Sequence, residues 1–510
     1  MKTTRRKFLA YTGAGLIAAA CGPTAPSSTA SSGTPGARVP TGELKIAVPV
    51  KVPTLDPHGA QSVEDVSHTV LQHVMEPLVR REPTNGNLVA ALATEWKNPD
   101  PTTWSFTLRD AKFHDGSKVT PADVKASLER VIALKGALAP QFAQVDTIAA
   151  LDATTVQIKT KTPVGTLLAN MAMVPIAPAA QLSSTGFFNK PIGSGPFKVV
   201  SWSADAELRL EANSDYWGSK PGVKTMVFRY YPEVAPLVTA LQTGEIDFTW
   251  RLPPDQLPAL QRDANLKVDS VPGWTYYFIW MNSSRPVFAD KRVRQAMAYA
   301  LDVDKMIKDL LGSVAKRGTA PIPSTVFGFA SQTAYAYDPA KAKQLLAQAG
   351  VPNGFDAGMI WNPGSAPQDR ELLLAMISYW NAIGVRVKSQ EMERAVWIDN
   401  LNKLNWDMDM QANAVTTGDA DFTLGRLYHS RANRNGYKNP DLDKILDDAV
   451  ATVDQNRRKD LYAQANKVIW DDAVGIFPAE LYNVFAYRKR VTGFTPTATP
   501  IMSFAGVTVQ

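Results

Sequence analysis

The chain has 510 residues, with 54 Lys and Arg against 48 Asp and Glu, five His, one Cys and a formal net charge of +6. An apolar content of 45% with 20% charged residues excludes wholesale disorder, a collagen-like repeat and a polytopic membrane protein. A single cysteine excludes an intramolecular disulfide and every multi-cysteine metal site, and at about 150 residues per domain the length fits roughly three domains.

Residues 1–20 read as an export signal. Lys2, Arg5, Arg6 and Lys7 form a basic start, followed by a mildly apolar run of 13 residues from Phe8 to Ala20. That run is shorter than the roughly 20 residues needed to span a bilayer. Arg5-Arg6 resembles a twin-arginine signal. Leu16 to Cys21 resembles a bacterial lipobox, with Ala18 where leucine is usual, which makes Cys21 the expected lipidated first residue of the mature chain. Removing 1–20 leaves 50 basic against 48 acidic residues, a net +2, so the basicity belongs mostly to the signal and gives no reason to expect a nucleic-acid partner. Residues 22–40 are almost wholly Gly, Pro, Ser, Thr and Ala. They cannot bury a core, and 21–40 reads as a flexible linker.

The body that follows alternates strand and helix signals. A strand is expected over 44–50 and another over 104–109, where Trp and Phe alternate with Ser and Thr. Asp115-Gly116 marks a turn. Thr120, Pro121 and Asp123 form a capping pattern for a helix with Val124, Leu128, Val131 and Ile132 inward. Residues 164–180 are the most apolar stretch, interrupted by Asn170, Pro175 and Pro178. The run Trp274 to Trp280 places aromatics on both faces of an expected strand, which suits core burial and a cleft wall together. Helices are expected after Asp290, from Asp302 to Gly312, from Asp338-Pro339 to Gly350, and from Asn439-Pro440. Strand 359–361, helix 367–383 and strand 385–390 read as a βαβ unit. There is no internal repeat, and the class is α/β with mixed sheets.

No phosphate-binding glycine loop, zinc-protease motif or nucleophile elbow is present. The histidines, His58, His68, His73, His114 and His429, are scattered, so no metal site is expected. The pairs Asp302/Asp304, Asp419/Asp421 and Asp441/Asp443 fit helix capping and turns better than acid–base chemistry. These absences favour a binding protein without cofactor over a surface hydrolase.

Several short marks occur in order. They are Leu55-Asp56-Pro57-His58, Glu76-Pro77-Leu78-Val79, the 104–109 strand with Phe113 to Gly116, and Pro191 to Phe197. Gly244 to Asp247, Val293 to Ala296 with Ala300 to Asp302, Ala342 to Ala347 and Tyr437 to Pro440 follow. With them the chain resembles, from about Leu44 to its end, the extracellular solute-binding proteins of peptide-type ABC importers, a family with dipeptide, oligopeptide and nickel members. The resemblance implies a periplasmic-binding-protein-like fold of two lobes around a hinge cleft. Lobe one would be 41–75, 191–274 and 486–510, an extra domain 76–190, and lobe two 275–485. It implies an exported monomer held at the outer face of the membrane only by its lipid. Such a protein captures a small solute by hinge closure and hands it to an ABC permease with its ATPase.

Peptide-binding relatives often carry Gly-Trp-x-x-Asp-x-x-Asp-Pro, whose first aspartate pairs with the ligand's ammonium. Aligned without gaps, that aspartate becomes Thr416, the last becomes Asp419, and the Trp becomes Asn413. The ammonium anchor is absent unless Asp419 or Asp421 takes over, which favours blocked peptides or opine-like and sugar-like solutes. A nickel or metallophore ligand is the other alternative within the family. Arg394 falls where an oligopeptide-binding member has a stacking tryptophan; it would hold an anion or stack, or simply be solvated. On lobe one, Gln61, Ser62 and Val63 fall on the ligand-contacting strand. Trp250 and Arg251 also map to the cleft, with Arg251 either meeting a carboxylate or forming a surface ion pair. Tyr276 lies near the lobe crossing.

Overall fold

The computed structural model describes residues 40–59, 61–82, 86–364 and 366–510. The export signal, the linker and Cys21 lie outside the described residues. Among those described, the chain builds a large mixed sheet, a separate four-stranded sheet and flanking helices.

The main sheet has a path of ten strands. From one edge they are Arg386–Glu391, Asp356–Trp361, Met408–Ala414, Leu266–Met281, Ala479–Arg488, Phe248–Trp250, Glu43–Val48, Thr225–Tyr230, Glu207–Ala212 and Phe197–Trp202. Asp356–Trp361 runs parallel to both its neighbours, and Glu43–Val48 does the same in the other half. These are the buried, crossover-connected strands; the rest pair antiparallel. The βαβ unit is present, but its helix, Asp369–Ala382, starts two residues later than the sequence pattern suggests. Gln368 stands in the left-handed region at φ 58°, and the Pro367 carbonyl accepts the Tyr277 hydroxyl instead of opening the helix. The helix expected from Asp302 is four residues of α-helix, Val303–Met306, followed by a wider π-type turn, Ile307–Leu311. Gly312, at φ 55°, ends it.

Side-chain alternation sorts the core. On one face of the main sheet a single cluster runs through both halves: Ala47, Leu241, Tyr277, Ile279, Val484 and Ala486 all belong to it. On the opposite face there are two separate clusters. One holds Ile46, Val48, Phe248, Trp250 and Phe485; the other holds Trp274, Tyr276, Phe278, Trp280 and Tyr428. Apolar packing on that face is therefore interrupted between Trp250 and Trp274.

The four-stranded sheet, Ala93–Asp100, Thr103–Leu108, Thr155–Thr160 and Val145–Ala150, has its own core. The helix Pro121–Leu134 packs on it through Val124, Leu128 and Val131. Its start is fixed as the sequence pattern predicts: the Asp123 carboxylate accepts the Thr120 N–H at 2.8 Å and hydroxyl at 2.7 Å. The apolar stretch 164–180 is spent in this core, through Leu167, Met171, Val174 and Ile176. No helix of the described residues is long and apolar enough to cross a membrane.

Two sequence marks converge on one structural task. The buried Arg294 guanidinium donates to the carbonyls of Phe288, Asp472 and Ala473 at 2.7, 2.6 and 3.2 Å, while the Tyr437 hydroxyl donates to the Asp472 carboxylate at 2.6 Å. They clamp the end of the long helix Gln455–Asp471.

Burial decides the histidines. His58, His68, His73 and His114 are each pushed down to about 4 by desolvation. A depressed folded-state pKa means their stabilisation is complete above the unfolded value near 6.5 and is lost as pH falls towards 4. Thermal unfolding followed by circular dichroism should therefore show the melting temperature falling between pH 6.5 and 4.5. His68→Phe, which removes one buried ionisable ring, should flatten that fall; an unchanged slope would contradict the assignment.

Candidate functional site

The interruption between the two opposite-face cores is bridged by two strands. Leu266–Met281 pairs with Ala479–Arg488 up to Pro272, then breaks register before Tyr276 and continues against Met408–Ala414. Gly273 sits in this break, where any Cβ would lie 2.8 Å from the Asn483 side-chain oxygen. The Asn483 amide is itself held by the carbonyls of Thr497, Ala498 and Thr499. Two crossing strands with a register break at the gap form a hinge, because the ladder hydrogen bonds that would resist bending are interrupted there.

Trp274 stands at the break and gathers residues from distant parts of the chain. It is 1% exposed and its indole N–H has no hydrogen-bond partner among the described residues. The Arg81 guanidinium, from the short hairpin Val79–Ala90, lies 5.4 Å from the ring centre, and its Nη1 donates to the Gly86 carbonyl at 2.6 Å. Gly418 passes on the other side at φ 65°; a Cβ there would sit 2.4 Å from the indole. Only glycine fits both that backbone and that contact.

Beside Gly418 the structure answers what Asp419 does. Its carboxylate accepts the Arg458 Nη2 at 2.9 Å, with both side chains 5% exposed or less. The rest of that guanidinium is spent on the Ala449 carbonyl, Gln455 and the Tyr462 hydroxyl. Asp421, two residues on, has its N–H bound to the Asp419 carboxylate at 3.1 Å. Burial, with the Asp419 charge next to it, pushes the Asp421 carboxyl up to about 7.

The other expected site residues fall into two groups. Tyr276 and Asn413 are direct cross-strand partners. The Tyr276 hydroxyl is buried without a hydrogen bond, and Asn413 accepts the Arg426 Nη2 at 3.0 Å. Thr416 is half-buried in the loop before Gly418. On the other side of the gap, Arg251 holds a left-handed backbone at φ 60°, and its guanidinium pairs with Asp65 at the start of the helix Asp65–Val74. This places Trp250 and Arg251 beside the loop of Gln61, Ser62 and Val63. Within that loop Gln61 is exposed, the Ser62 hydroxyl donates to the Gly59 carbonyl at 2.8 Å, and Val63 packs on the core of the four-stranded sheet. Arg394 is the exposed first residue of the helix Arg394–Asn402, which leans on the sheet through the Trp397–Asp409 hydrogen bond at 2.8 Å.

Arg81, Trp274 as the centre, Gly418, Arg426 and Arg458 were not among the residues the sequence singled out. Only Trp274 carried a signal, as the first aromatic of the alternating run.

The sequence profile of the bacterial extracellular solute-binding proteins, family 5 Middle, matches residues 87–435. The chain belongs to this family. It is a solute-binding component of an ABC importer and not an enzyme. It is 30% identical over 481 residues to a glutathione-binding protein of Pectobacterium atrosepticum, covering 90% of this chain and 92% of that protein. A probable D,D-dipeptide-binding periplasmic protein of Escherichia coli is also 30% identical, with the same coverage. Among solved structures, an ABC transporter-associated periplasmic binding protein of Helicobacter pylori bound to the peptide STSA superposes with a TM-score of 0.78. It shares 26% identity, over 92% of this chain and 98% of that one. An agropinic-acid complex from A. tumefaciens gives a TM-score of 0.77 at 25% identity, over 92% and 99%.

Proposed function

We propose that this chain is a lipid-anchored receptor, held by Cys21 outside the cytoplasmic membrane, that captures a peptide-like solute between two lobes and delivers it to its permease. Lobe one takes in 41–75, 191–274 and 486–510, lobe two 275–485, and the extra domain 76–190. The observation that carries this reading is the gap between the cores of Trp250 and Trp274, crossed by two strands whose pairing breaks register there. Closing such a gap excludes water, which strengthens every hydrogen bond made to the solute. The likeness to glutathione-, dipeptide- and agropinic-acid-binding proteins supports a small solute with amide and carboxylate groups.

Because Asp419 is consumed by Arg458, a free ammonium gains no partner from it. Calorimetry against a panel of dipeptides, free and N-acetylated, is expected to show acetylation costing less than threefold in affinity. A loss of a hundredfold on acetylation would restore an amine site and overturn this reading. The anchor is tested separately: Cys21→Ala should move the protein from the membrane fraction to the soluble one, and retention at the membrane would refute lipidation.

A further inference from the structure

The charges around the gap are not balanced once the internal pairs are removed. Asp419 and Arg458 neutralise each other, and Arg251 is taken by Asp65. What remains on the lobe-two wall is Arg426, on the helix Asp421–Tyr428. Its Nε donates to the Phe422 carbonyl and its Nη2 to the Asn413 side-chain oxygen, both at 3.0 Å. No carboxylate of the described residues comes within ion-pair distance of it. Its electrostatic neighbours are the Tyr276 hydroxyl and then Arg434, a charge of the same sign whose Nη1 donates to the Asn402 side-chain oxygen at 2.5 Å. The Arg426 side chain is exposed, so its remaining N–H groups are open to solvent.

The neighbouring groups also ask for an acceptor. Arg426 has five N–H donors, two of them used by the contacts above. The Tyr276 hydroxyl, opposite Asn413 in register and 1% exposed, lacks a partner. At the hinge, the Trp274 N–H has no acceptor among the described residues. A planar fork with free N–H groups matches a carboxylate bidentately.

Resting on the reading of this gap as the solute cleft, we propose that Arg426, oriented by Asn413, is an anion subsite, and that the solute carries a carboxylate recognised there. The solute is then an acidic or C-terminally free peptide-like molecule, selected for its negative charge rather than for an ammonium. Asp421, the first residue of the same helix, is the competing anchor, since an ammonium would choose a carboxylate.

The test uses acetate as probe. The Arg426 Nε resonance of arginine-labelled full chain, assigned by its loss in Arg426→Gln, is followed during titration with sodium acetate at constant ionic strength. Methylammonium is titrated in parallel. The expected result is a saturable acetate-dependent shift of that signal in the parent chain, and a rise in melting temperature with acetate that is abolished in Arg426→Gln and needs at least tenfold more acetate in Arg426→Lys, which keeps the charge and loses the fork. Either variant suffices, so failure of one to fold does not blunt the test. An unmoved Arg426 signal overturns the proposal. So does a saturable response to methylammonium that Asp421→Asn abolishes. Acetate binding with no binding of any peptide in the calorimetric panel would keep the subsite and discard the peptide-like reading, so the two fail separately.

Discussion

Arg458→Met is expected to cost about 3–5 kcal/mol of stability, because it leaves the Asp419 carboxylate buried without its counter-charge. Asp419 is about as buried as the arginine that holds it, and the pair lies at 2.9 Å with three further hydrogen bonds from the same guanidinium. Urea unfolding at pH 7 should show the deficit. The double variant Arg458→Met, Asp419→Leu should recover most of the loss, since a buried pair replaced as a unit by apolar groups is close to neutral. A single variant as stable as the parent would show that the pair carries no such role.

The second large effect is expected at Gly165. Its N–H donates to the Val450 carbonyl at 2.7 Å, joining the four-stranded-sheet domain to the end of the helix Pro440–Ala451, just before the turn into Gln455–Asp471. A Cβ at position 165 would lie 1.8 Å from the Thr452 carbonyl oxygen and 2.9 Å from the Arg458 stem. Val453, in the same turn, packs on the core of the four-stranded domain. The contact leaves no clearance, so Gly165→Val must hold the two parts apart by more than an ångström. Neither part uses Gly165 for its own core, so each should still fold. The expected outcome is a larger radius of gyration by small-angle scattering and at least a tenfold loss of solute affinity. The melting temperature of the free protein should change little. An unchanged radius with full affinity would mean that this contact is not part of the closed state. Both variants meet at Arg458, whose stem touches Gly165 and whose head holds Asp419.

Local rules were legible where local chemistry decides. The Thr120–Asp123 cap, the parallel strands of the βαβ unit and the alternation of Trp274 to Trp280 follow from residue type and spacing, because each is settled within a few residues. The late start of the helix at Asp369 was not legible, since it depends on a tertiary hydrogen bond from Tyr277 to Pro367. The site was legible only in part. Tyr276 and Asn413 do come together, as cross-strand partners. Thr416 and Asp419 lie in the adjoining loop, but nothing local says that Asp419 is already paired. Its partner is 39 positions away, on a helix whose pattern gives no reason to bury an arginine.

By itself, the sequence determined the α/β class, the order of elements, the family and the placement of basic charge in the first 20 residues. These depend on periodicity, capping and motif order, which are properties of neighbours along the chain. The tertiary structure alone decided which charges remain open to a solute. Arg251 and Asp419 are both ionisable residues in promising positions, yet one is taken by Asp65 and the other by Arg458, while Arg426 has no counter-ion among the described residues. Electrostatic availability is set by what folds against a group and how much water it loses, and no spacing in the sequence records that.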